Sequence, residues 1–136
     1  GTSLSATDST SVTINDNLQV QGDLTADSIV GEVITTGAIG AGVTTNQTID
    51  LSTGRFFEVY VNADVTLNFT NAQNGTLKRI TIVTQTATIR QIAFQIDGAA
   101  QGTRPIGDGS TANSKQLYEL HSFETQKYIA AYDIVS

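Results

Sequence analysis

One imidazole and thirteen carboxylates are the groups of this 136-residue chain best suited to proton transfer. His121 stands in Leu120-His121-Ser122. On a strand, neighbouring side chains point to opposite faces, so the adjacent Ser is no partner for the imidazole. No Gly-x-Ser-x-Gly elbow occurs, so a nucleophile–base pair has no sequence support. Catalytic carboxylates must face each other across a cleft at a fixed separation. Here Asp97-Gly98 and Asp108-Gly109 read instead as turn residues. There is no Asp-x-[Asp/Asn]-x-[Asp/Asn]-Gly loop for Ca²⁺ and no Cys for a thiolate zinc site. The reading is therefore no catalytic residue, no metal ligand, no cofactor and no enzyme.

A binding site is a better fit to the residue types. Asp97 to Lys115 reads as one long polar loop with four Gly and the single Pro, and long loops are often functional. It offers Arg104, Asp108, Ser110, Asn113 and Lys115. Tyr118 or Tyr60 would supply the aromatic platform that carbohydrate recognition commonly adds. The expected receptor-binding set is Arg104, Asp108, Asn113, Lys115 and Tyr118.

The elements that must position these groups are strands. Thr, Ile and Val number 21, 13 and 10, and β-branched residues favour a pleated, half-buried surface. No stretch sustains an apolar helical period. Gln47 to Leu51 is a candidate first strand. In Arg55 to Asn62, Phe57, Val59 and Val61 share a face; in the next segment Val65, Leu67 and Phe69 do. With Asn62-Ala63-Asp64 between them, this pair reads as the strongest hairpin in the chain. Leu77 to Gln85, Ile89 to Asp97, Gln116 to Phe123 and Lys127 to Val135 read as further strands. Arg104-Pro105-Ile106 reads as briefly extended.

The N-terminal part differs. Val12, Ile14, Leu18, Val20 and Leu24 alternate with polar residues, broken by turns at Asn15-Asp16-Asn17 and Gly22-Asp23. Gly37-Ala38-Ile39-Gly40-Ala41-Gly42 reads as a linker or a close-packed crossing. About 45 residues of short one-sided strands make a poor independent core, so their apolar face needs a cover. The expected division is 1–45 and 46–136, with the second part a β-sandwich or jelly-roll-like domain.

Composition removes other classes. The net charge is −6 and the pI about 4.4, which argues against nucleic acid. No run of about 18 apolar residues offers a membrane span. The chain has no Met and opens Gly1-Thr2-Ser3. It reads as a processed chain or a piece of a longer one.

Two stretches carry a resemblance. Ile49-Asp50-Leu51-Ser52-Thr53-Gly54-Arg55-Phe56-Phe57-Glu58-Val59, then Val65-Thr66-Leu67-Asn68-Phe69-Thr70-Asn71, Gly75 and the closing Tyr128, Ala130 and Tyr132, resemble C-terminal domains of bacteriophage tail-fibre and related virion fibre proteins. Val12 to Ile29 is similar to phage fibre shafts, in which short strands wind three chains together. The resemblance implies an all-β homotrimer: a fibrous, intertwined shaft over 1–45, with Val12, Ile14, Leu18, Val20 and Leu24 in the trimer core, then a head over 46–136. It implies a virion location, extracellular after release, contact with other virion proteins and with a host glycan or protein receptor, and no membrane insertion. A threefold fibre presents each weak site three times, so avidity adds to affinity. A head-fibre or capsid-decorating protein belongs to the same class. The competing reading is a monomeric carbohydrate-binding β-sandwich module of a bacterial surface or secreted protein.

Overall fold

The computed structural model describes residues 33–135 together with Gln19, Gln21 and Gly22. Val12, Ile14, Leu18, Val20 and Leu24 lie outside the described residues. The fold is all-β, as the β-branched alternation predicts. Among the described residues nine strands follow one another: β1 (Val33–Thr36), β2 (Gln47–Asp50), β3 (Phe56–Val61), β4 (Val65–Thr70), β5 (Thr76–Thr84), β6 (Arg90–Ile96), β7 (Ala99–Ile106), β8 (Lys115–Ser122) and β9 (Lys127–Val135). They form two mixed sheets, ordered β1-β3-β5-β8-β9 and β2-β4-β6-β7.

The chain passes from one sheet to the other at each step from β1 to β6. Strands β1, β3 and β5 are therefore parallel in the first sheet, and β2, β4 and β6 are parallel in the second. Val33, Phe56 and Arg79 stand side by side, at equal steps along the chain. The first six strands are thus three stacked rungs of a two-sheet coil. The expected hairpin between Val61 and Val65 is not present: β3 and β4 lie in different sheets and pair with other strands. Nor are the sheets purely antiparallel, as a jelly roll requires. Period-two alternation reports which face is buried, and it is identical for a hairpin and for an arch between two sheets.

The corners hold the rungs in register. Asn46 Oδ1 accepts from the Thr66 amide at 2.8 Å, and Asp64 Oδ1 accepts from the Gln91 amide at 2.9 Å. Each acceptor sits one residue before its strand and binds the second residue of the strand above. At the other corner, Asp50 Oδ1 accepts from the Ser52 amide at 2.9 Å and from Asn71 Nδ2 at 2.9 Å. The Asn71 amide in turn donates to Asp97 Oδ1 at 2.9 Å. Polar side chains at successive corners thus satisfy backbone groups that the turns leave unpaired.

Antiparallel strands finish both sheets. Asp97 (φ +48) and Gly98 (φ +82) form a two-residue turn joining β6 to β7, the type I′ geometry that Asp-Gly favours. Eight residues of the expected 97–115 loop are therefore strand β7. Pro105 is tolerated there because β7 is an edge. Strand β8 runs antiparallel to β5, and β9 to β8. Between the sheets lie Phe57, Phe69, Phe94, Leu51, Leu67, Ile80, Ile82, Ile92, Ile106 and Leu120, all fully buried. Each such side chain contributes roughly 1.5–3 kcal/mol when removed from water.

Residues from the first part of the chain join this body. β1 pairs with β3, and the Val43 amide donates to Tyr60 O at 2.7 Å while Val43 O accepts from the Asn62 amide at 2.9 Å. The Gly37–Gly42 stretch is a close-packed crossing, since a Cβ on Gly37 would sit 2.8 Å from Tyr60 O.

Candidate interaction surface

The two sheets turn different faces outward. On the second sheet, Thr48, Asn68 and Gln95 stand in one row, and Thr66, Ala93 and Thr103 in another. These are small or neutral polar groups suited to water. The first sheet carries Val33, Phe56, Arg79 and Glu119 in one row, and Thr35, Glu58, Thr81 and Leu117 in the next. Leu77, His121 and Tyr128 form a third row. A cleft of about 440 Å³ opens on this face, with Phe56, Glu58, Arg79, Leu117 and Glu119 among its walls.

The face is apolar and balanced in charge. Val33, Leu77 and Tyr128 are exposed, and Phe56 and Leu117 half-buried. Its described carboxylates are Glu58 and Glu119, and its described permanent cations are Arg79 and Lys115. Arg79 Nε lies 3.6 Å from Glu119 Oε1, and His121 Nε2 lies 3.2 Å from Glu119 Oε2. The Tyr60 hydroxyl donates to Glu58 Oε2 at 3.0 Å. Burial, then the carboxylate beside it, raises the Tyr60 pKa. At the end of the face the His121 ring stacks on Tyr128, with centroids 5.0 Å apart and planes 6° from parallel. Phe123 packs against both rings at 6.3 and 5.9 Å. Ser122 points the other way, into the core, and its hydroxyl donates to Ala72 O at 3.3 Å.

The residues expected to bind a receptor do not converge. Tyr118 is 2% exposed, its ring tilted against Phe94 between the sheets. Burial pushes its pKa up to about 12. It shares a face with buried Leu120, so it offers no platform to a ligand. Arg104 reaches inward from β7, donating to Ile129 O at 3.2 Å and lying 5.8 Å from the Tyr118 ring centroid. Asn113 occupies a left-handed turn position, φ +62. Lys115 is exposed at the start of β8, on the outer face of the first sheet. Asp108 accepts from the Ser110 and Thr111 amides at 2.8 and 2.7 Å.

Asp108 gives a test in acid. Those two amides hold its pKa down to about 2, against an ordinary 3.8. A depressed carboxyl contributes stability that is present above pH 3.8 and is lost as pH falls toward about 2. Asp108→Asn keeps an acceptor oxygen but removes the titration. The melting temperature of the variant is expected to fall less steeply than that of the wild type over this window. Parallel pH–melting curves would contradict the assignment.

The cleft walls Phe56, Arg79 and Leu117, and the rings of Phe123 and Tyr128, were not among the residues expected to bind a receptor. The available signal was parity, because Arg79 and Leu117 alternate with the buried Ile80 and Tyr118. No protein-family model, curated protein or solved structure matches the chain.

Proposed function

We propose that this chain is a structural, non-catalytic segment of a virus fibre or spike, assembled as a homotrimer that contacts the host cell surface. The observation that carries the reading is the outer face of the first sheet. It is apolar and charge-balanced on a chain of net charge −6, while on the opposite outer face the rows Thr48-Asn68-Gln95 and Thr66-Ala93-Thr103 carry neutral, small or polar side chains. Copies of an acidic chain repel one another wherever their carboxylates meet. On this face Glu58 and Glu119 are offset by Arg79 and Lys115, so no excess charge opposes contact, and Val33, Phe56 and Leu117 gain from a cover. Cyclic symmetry supplies the cover with identical chains and closes the assembly.

The number three, the viral setting and the host contact come from the resemblance to phage fibres. In this reading the chain before β1 forms the shaft, with Val12, Ile14, Leu18, Val20 and Leu24 between the chains, and the chain from β1 onward forms the head. Strand β1 then carries the shaft into the first sheet of the head. The particle's other fibre components are its further partners, and the protein is extracellular once the particle is released.

Light scattering on the purified chain tests the reading. A mass of three times 14.4 kDa at micromolar concentration is expected. A stable monomer would remove the proposal.

A further inference from the structure

A second cleft lies away from the centre of the apolar face, where two hairpin tips meet. One tip is Asp97-Gly98, between β6 and β7 of the second sheet; the other is 123–126, between β8 and β9 of the first. Lys127 Nζ bridges them, 2.7 Å from Asp97 Oδ2. The Phe123 amide closes the second tip by donating to Gln126 O at 2.7 Å. The cleft between the tips has a volume of about 340 Å³, and Asp97, Gln101, Phe123, Glu124, Gln126 and Lys127 line it. That volume falls within the range of small-ligand sites, roughly 300–1,000 Å³.

The lining combines two kinds of group. Phe123 is 51% exposed. Its ring is braced by His121 and Tyr128, which leaves a fixed apolar plate at the cleft mouth. Around it stand the amides of Gln101 and Gln126, each both donor and acceptor, and the acceptor carboxylate of Glu124. Asp97 is held by the Asn71 amide and by Lys127, so its position is set before any ligand arrives. Among the described lining residues, Lys127 is the one cation, and it is already paired. The two carboxylates leave an excess of negative charge, which opposes an anionic ligand. A ligand with one flat C–H face, several hydroxyls and no negative charge matches all of these features.

We propose that this cleft binds a neutral saccharide, with one pyranose face on Phe123 and its hydroxyls on Gln101, Gln126 and Glu124. The cleft is formed within one chain, so glycan retention and oligomeric state are read independently and the failure of one is separable from that of the other. The experiment is binding of the full chain to an array of neutral hexose and N-acetylhexosamine oligosaccharides, with sialylated and uronate-bearing glycans alongside. At least one neutral glycan is retained, and the acidic ones are not. Phe123→Ala and Gln101→Ala each weaken retention by about tenfold or more, with melting little changed, because Phe123 is half exposed and Gln101 lies on the edge strand β7. Phe123→Tyr retains binding. The assignment is overturned if no neutral glycan is held, if acidic glycans are preferred, or if both alanine variants bind as the wild type does.

Discussion

Phe94→Ala is expected to cost about 3–5 kcal/mol of stability. Phe94 is 1% exposed and stands on β6 of the second sheet. Its ring stacks on Phe69, with centroids 6.3 Å apart, and meets Tyr118 of the first sheet at 5.0 Å. It is therefore a side chain through which β6 of the stacked rungs meets β8 of the antiparallel cap across the core. Removing it leaves a cavity between rigid sheets that cannot collapse onto one another, so the upper part of the range applies. Urea unfolding is the measurement: the midpoint falls while the slope stays the same. In a body of this size the melting temperature drops by more than about 10 °C. Phe123→Ala is the control, at a ring half in water, and changes stability by about 0.5 kcal/mol or less. A loss below about 1 kcal/mol for Phe94→Ala would mean that the two sheets do not pack through this ring.

Gly42→Ala is expected to cost roughly 2–4 kcal/mol. Gly42 has φ +70, and a Cβ there would lie 2.9 Å from both Val61 C and Gln85 Cγ and 3.0 Å from the Asn62 amide nitrogen. The left-handed conformation alone costs a residue with a Cβ about 1–2 kcal/mol. The remainder comes from displacing backbone beside the hydrogen bonds that Val43 makes with Tyr60 and Asn62. Gly40 separates the two causes, because it has φ +88 but nothing within 4 Å of a Cβ. Gly40→Ala carries only the conformational cost. If the two variants melt together, the 37–43 crossing does not pack against β3 and the Val61–Asn62 corner as described.

What was legible in the sequence follows from what alternation encodes. Phe57-Val59-Val61 and Val65-Leu67-Phe69 each identify a buried stripe, and both stripes are in the core. The same letters are silent about partners, because an inward-facing strand looks alike beside its neighbour or across from it. The corner Asn62-Ala63-Asp64 therefore read as a hairpin, although Asp64 caps the rung above. The signal that distinguishes the two is the correspondence of Asn46 with Asp64, each one residue before a strand and each holding the amide of the next rung. It spans two copies only, and no local propensity marks it.

Strand β7 was hidden for a different reason. Ala99 to Ile106 contains Gly102 and Pro105 and buries little besides Ile106. As an edge strand it owes its conformation to the Asp97-Gly98 turn and to pairing with β6, which propensity does not register. Once β7 is a strand, the polar groups expected to gather in one loop are dispersed. Arg104 turns inward to Tyr118 and Ile129, while Asp108 and Asn113 serve the connection to β8. Tyr118 could have been assigned by parity with Leu120, which the same strand buries. The outer cleft needed β3, β5 and β8 side by side, an adjacency only the fold supplies.

The central claim is that copies of the chain meet through the outer face of the first sheet. Sedimentation velocity at matched micromolar concentration tests it most directly, comparing the wild type with two double variants. Phe56→Asp/Leu117→Asp puts charge on the apolar face, and Thr48→Asp/Thr103→Asp puts the same charge on the outer face of the second sheet. The wild type and the Thr48/Thr103 variant are predicted to sediment as trimers, and the Phe56/Leu117 variant as a folded species of one third the mass. A Phe56/Leu117 variant that remains trimeric, a Thr48/Thr103 variant that dissociates, or a wild type that is itself monomeric would each contradict the account.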